Sequence, residues 1–105
     1  MARFSFAAGG ISRAVRHSEV AELWYVLAGD AEIWREEMSE PGRISVLRPG
    51  AAIAIPPGCA FQVRVSDSEP LEVVAVTMPP WPGDHAAEQV AGNWDLAGQS
   101  DGAEI

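Results

Sequence analysis

Residues 9–29 read GGISRAVRHSEVAELWYVLAG, and the spacing within them decides the fold. A glycine pair opens the stretch at Gly9-Gly10. His17, one of two histidines in the chain, lies inside it, and Glu22 follows five residues later. The run LWYVL then leads into Gly29-Asp30. Residues 22–28 are rich in strand formers and end on a turn signal, so they predict a strand closed by a turn. What lies downstream reads as further strands enclosing whatever His17 and Glu22 face.

Working outward, residues 3–7 (RFSFA) alternate weakly and predict a short first strand that Gly9-Gly10 end. Residues 11–17, if extended, carry Ile11, Arg13, Val15 and His17 on one face. Residues 31–36 (AEIWRE) return from 22–28 as a hairpin. A polar loop over 37–42 follows, and residues 36, 37 and 40 make it acidic. Residues 43–48 (RISVLR) stop at Pro49-Gly50, and 51–55 (AAIAI) stop at Pro56-Pro57-Gly58. Residues 60–66 alternate cleanly, with Phe61, Val63 and Val65 on one face and Gln62 and Arg64 on the other. That parity places Gln62 outside when Phe61 is inside. Residues 71–77 (LEVVAVT) form the last core strand. No stretch before residue 84 has helical periodicity with caps. Many short strands separated by turn signals predict an all-β sandwich or barrel. After Met78 the chain becomes irregular and rich in Pro and Trp, with one helical turn expected at 85–90.

Length and composition narrow the function classes. A chain of 105 residues is one domain with an adequate but not large core. Its net charge of -8 argues against nucleic acid, whose phosphates need clustered Lys and Arg. The same charge disfavours an anionic membrane surface, and no run approaches the ~18 apolar residues of a membrane span. A single cysteine, Cys59, rules out an internal disulfide and a cysteine-based zinc site. It is read as a small turn residue. With no signal-peptide pattern, these features predict a cytoplasmic protein.

Two spacings together resemble the cupin superfamily of small double-stranded β-helix barrels. The first cupin motif is G, five residues, H-x-H, three or four residues, E, six residues, G. This chain has Gly9, five residues, Val15-x-His17, four residues, Glu22, six residues, Gly29. The second motif is G, five residues, P-x-G, two residues, H, three residues, N. Here it reads Gly50, five residues, Pro56-x-Gly58, two residues, Phe61, three residues, Val65. Both frames are intact. The resemblance implies a jelly-roll-like barrel: a single cupin domain over 1–95, with its core at about 9–78, a tail over 79–95 and a flexible end over 96–105. It also implies a homodimer, since cupins commonly pair through sheet faces and edges.

The resemblance implies a divalent metal held by three histidines and the glutamate. Val15 and Phe61 replace two of those ligands, leaving His17 and Glu22. One imidazole and one carboxylate are fewer than the three protein ligands of a catalytic zinc site or the facial triad of a non-haem iron site. No metal cofactor is therefore expected. The alternative is iron, manganese, nickel or zinc on His17 and Glu22, with the set completed by water, substrate or a tail residue. Asp84, Cys59 and Gln62 are the candidate side chains, Gln62 being turned outside by alternation, and His85 is the other imidazole, in the tail.

Without a metal, His17 and Glu22 become an acid–base pair in an apolar cavity lined by Val15, Trp24, Phe61 and Val63. A concave apolar site with a few polar groups suits a small organic molecule. Such a pair can move protons in an isomerase, epimerase or cyclase step. Arg13, on the same expected face, would hold a carboxylate or phosphate. Trp34, Trp81 and Trp94 are read as core and lid packing. Three functions stay open: a metal-independent enzyme or binding barrel, a metal-dependent oxygenase or isomerase, and a non-catalytic metabolite-binding or sensing cupin. The structural alternative for His17 is a buried histidine satisfied by Glu22.

Overall fold

The computed structural model describes residues 1–78 and 87–95. They form nine strands: β1 (Ala2–Phe6), β2 (Val15–His17), β3 (Ala21–Ala28), β4 (Ala31–Glu36), β5 (Arg43–Leu47), β6 (Ala52–Ile55), β7 (Ala60–Val65), β8 (Leu71–Met78) and β9 (Ala87–Gln89). Two antiparallel sheets result. The first has the order β1-β8-β3-β6 and the second β5-β4-β7-β2-β9. Sequential strands alternate between the sheets except at the β4–β5 hairpin. Strands β3 and β4 therefore lie in different sheets, and the hairpin expected between residues 22–28 and 31–36 is instead a crossover. This all-β arrangement is the jelly-roll-like barrel that the motif spacing implies.

The alternation of side chains explains why the sheets face each other. On β3, Glu22, Trp24 and Val26 are buried while Leu23, Tyr25 and Leu27 are exposed. The inward sets of β3, β7 and β8 pack into one core around Trp24, Phe61, Val63 and Val73. That apolar area removed from water is the main force holding the two sheets together.

Four residues among those described have positive φ: Gly9 at 74°, Gly29 at 89°, Gly50 at 90° and Gly58 at 82°. They are the four motif glycines. An L side chain is disfavoured in this left-handed region. At Gly29 a side chain would also run into the Pro70 carbonyl and, 2.8 Å away, Leu71 Cα. The motif frame is thus a set of backbone reversals, and these persist although the ligands between them have changed.

Three further expectations need correction. Strand β2 is only Val15–His17, not 11–17. Residues 11–14 follow β7 irregularly: Ile11 bridges Arg64, and the Ser12 hydroxyl accepts the Val63 N–H at 2.9 Å. That side-chain bond takes the place of a regular ladder. The helical turn expected at 85–90 is also wrong where it can be described, because residues 87–89 are strand β9 on β2. Pairing with the open edge of β2 outweighs weak local helix preference. Finally, Gln62 does point away from the barrel interior, but it is buried, with 1% of its surface exposed. The segment 87–95 covers it. Trp81, Asp84, His85 and the expected flexible end at 96–105 lie outside the described residues.

Candidate functional site

His17 ends β2 and Glu22 lies near the start of β3, on opposite sheets. Their side chains meet between the sheets, with His17 Nδ1 2.6 Å from Glu22 Oε2. Both are buried, at 3% and 5% exposure. Trp24 Nε1 donates to the other carboxylate oxygen, Oε1, at 2.7 Å. Residues two apart on a strand share a face, so Trp24 is placed to reach back to Glu22. Glu22 therefore stands between an imidazole and an indole, with each oxygen engaged. A carboxylate held this way by two groups keeps one orientation.

Phe61 closes the group from β7. Its ring meets His17 edge to face at 5.3 Å and 84°, and meets Trp24 at 5.7 Å and 88°. Phe6 extends the aromatic set with a ring 5.8 Å from Trp24. Val15 and Phe61 are direct cross-strand partners. The two residues that replace family ligands thus sit side by side on the wall facing Glu22. Of the residues expected to line a pocket, Val15, Trp24, Phe61 and Val63 are all core, between 0% and 6% exposed. Arg13 does not join them: it lies in the irregular connection before β2 and is partly exposed.

The residues do not fit a cupin metal. Among those described, no three His, Cys, Asp or Glu side chains converge to hold an ion. His17 and Glu22 turn their donor atoms toward each other, and Glu22 is bound by Trp24 as well. No step through a metal is derived.

Arg35, to which the sequence spacing assigns no role, lies near this end of the barrel beside Cys59. Cys59 is buried at 2% exposure. Burial pushes its thiol up from the ordinary value, and the Glu37 carboxylate pushes the same way. Arg35 shares the inward parity of Ile33 on β4. It spans the seam between sheets, donating to the Ala54 carbonyl at 2.8 Å and to Ser45 Oγ at 3.1 Å. Burial, and then the neighbouring Arg43 charge, lower its guanidinium from the ordinary value. An arginine at an odd position of an alternating strand is the sequence signal that marks this inward cation.

Among the described residues, two clefts lie away from the His17–Glu22 group. One of about 640 Å³ is bounded by the Gly9, Asp30, Glu32, Arg48, Arg64 and Asp67 region. The other, of about 540 Å³, lies between Trp34, the β4–β5 hairpin and residues 91–93. Neither is lined by His17, Glu22, Trp24 or Phe61.

The Cupin domain family model matches residues 2–77. The chain belongs to the cupin family. No curated protein matches it. Among solved structures it is similar to the Drosophila melanogaster CENP-C cupin domain, with TM-score 0.67 and 16% identity over 71% of this chain and 57% of that one. It is also similar to Peruvianin-I, described as a cysteine peptidase from Thevetia peruviana latex, with TM-score 0.73 and 18% identity over 84% of this chain and 53% of that one. A third is a dTDP sugar isomerase from Desulfovibrio desulfuricans, with TM-score 0.73 and 17% identity over 97% of this chain and 74% of that one. The chain spans little more than half the length of the first two. At such identities the likeness shows the fold alone.

Proposed function

We propose that this chain is a small-molecule-binding cupin whose His17–Glu22 pair moves a proton on the bound molecule without a metal. The observation that supports this reading is the buried 2.6 Å contact between His17 Nδ1 and Glu22 Oε2 in an aromatic surround. With Nδ1 set against Glu22, the His17 ring is the group that exchanges a proton with a substrate. It would take a proton from a C–H or O–H of the molecule and return it at another position, which is an isomerase-type step. Glu22 fixes the ring and balances the charge that the arriving proton brings. Trp24 holds Glu22 in turn. The dTDP sugar isomerase similarity agrees with such chemistry on this fold.

The test is proton exchange on small ketones and ketoses, from acetophenone to fructose. Binding is read by ligand-observed NMR, and exchange of the α-hydrogen by its loss in deuterated water. Wild-type protein should bind at least one and accelerate its exchange. His17→Ala and Glu22→Gln should each lower that exchange by about tenfold or more. Binding with no acceleration, or acceleration that survives both changes, excludes the proton-transfer role.

A further inference from the structure

We infer that Gln62 is a positioning residue for His17 and acts through the 87–95 segment that it clasps. The amide of Gln62 makes three hydrogen bonds. Nε2 donates to the Ser12 carbonyl at 3.0 Å and to the Trp94 carbonyl at 2.9 Å, and Oε1 accepts the Trp94 N–H at 2.8 Å. A buried amide satisfied by both backbone groups of one distant residue is a specific clasp, since leaving any of these groups unpaired is costly. Gly92 permits it. A side chain there would come within 2.5 Å of Gln62 Oε1 and 2.7 Å of Ala14 Cβ. Trp94 is pinned a second way, with the Arg64 guanidinium 4.7 Å over its ring. Val90 N–H donates to the Ala14 carbonyl at 2.9 Å.

The segment fastened here includes β9, the outer neighbour of β2. Register pairs Val15 with Gln89, Arg16 with Glu88 and His17 with Ala87. On the other side, β7 pairs with Val15 and Arg16 only. The His17 carbonyl is met there by Gly58 N–H at 2.8 Å. Among the described strands, then, β9 alone has a register that reaches His17. A three-residue strand has little stability of its own. The place of the imidazole against Glu22 depends on β9 staying docked, and the Gln62 clasp keeps it docked. Gln62 points away from the barrel interior, so it touches neither His17 nor Glu22 and acts only through the backbone it holds.

The experiment uses the full chain without ligand, so it does not depend on the proposed proton transfer. Gln62→Leu keeps the volume and removes the clasp, while Gly92→Ala wedges the segment away with Gln62 intact. Amide exchange at Glu88–Val90 reports docking, and heteronuclear NMR of the His17 ring nitrogens reports the contact with Glu22. Both variants should speed that exchange by about tenfold or more and move the His17 ring signals. Phe4→Ala, exposed on β1 of the other sheet and away from the clasp, should move neither. If Gln62→Leu does not fold, Gly92→Ala carries the test alone, because Gly92 is exposed. Faster exchange with unchanged His17 ring signals overturns the inference. So does unchanged exchange in the folded variants.

Discussion

Trp24 Nε1 and Glu22 Oε1, two residues apart on β3, are joined by a 2.7 Å hydrogen bond that leaves Oε2 for His17. The indole is therefore both core packing and a donor. Trp24→Phe keeps an aromatic ring and removes the donor. A buried hydrogen bond to a charged group is worth roughly 1.5–3 kcal/mol, so a loss of about that size is expected in urea unfolding. Trp24→Ala should cost more, roughly 3–5 kcal/mol, because a cavity is added. No loss in Trp24→Phe would show that the hydrogen bond contributes nothing.

Val15 and Phe61 face each other across β2 and β7, where Cβ atoms stand about 5 Å apart. The double change Val15→His and Phe61→His restores the imidazoles of the motif frame beside His17 and Glu22. The expected result is stoichiometric binding of zinc or nickel, measured by calorimetry with elemental analysis, and absent from the wild type under the same conditions. Failure of the folded double variant to take up either ion would show that the backbone frame no longer presents a metal geometry.

Cys59 gives a pH prediction with a definite sign. Its folded thiol is pushed above the ordinary value of 9.0, chiefly by burial. Below that value the thiol is protonated in both folded and unfolded chains, and the stabilising contribution is complete. As pH rises past it, the unfolded chain ionises first and stability falls until the folded thiol ionises too. The seven basic residues are all arginine, so no lysine titration overlaps this range. Urea midpoints should drop above pH 9.0 in wild type and drop less in Cys59→Ala. A thiol reagent should label the native protein slowly and the unfolded protein fast.

Gly29→Ala tests the frame itself. The substitution meets both a positive φ of 89° and the Pro70 backbone. A loss of at least about 2 kcal/mol is expected, read as a lower thermal midpoint. At Gly50 the φ is the same class, at 90°, but a side chain meets nothing within 4 Å. Gly50→Ala should therefore cost less, roughly 1 kcal/mol.

The fold was legible because glycines and prolines mark backbone geometry directly. Gly9, Gly29, Gly50 and Gly58 fall where the chain must reverse, whatever residues stand between them. The loss of ligands at Val15 and Phe61 could also be read from spacing, as could the shared face of Glu22 and Trp24. The hydrogen bond between those two could not, since parity places side chains without aiming their polar atoms. Strand β2 is shorter than its alternation suggests because Ser12 substitutes its hydroxyl for a ladder bond, and no pattern of apolar residues records that. Gln62 lies on the face that alternation indicates, yet it is buried. Alternation says which way a side chain points, but what covers it comes from a distant segment, and residues 87–95 carry no periodicity.

Strand β9 has one more consequence. It forms the border of the five-stranded sheet, three residues long, with Glu88 and Gln89 exposed. An open strand border is a template on which another chain can add, and a short border with a charge is a poor one. Without β9, that border would be β2, with its apolar Val15 flanked by bare backbone groups. The short segment therefore also protects solubility. Variants that loosen it should be watched for self-association as closely as for any change at His17.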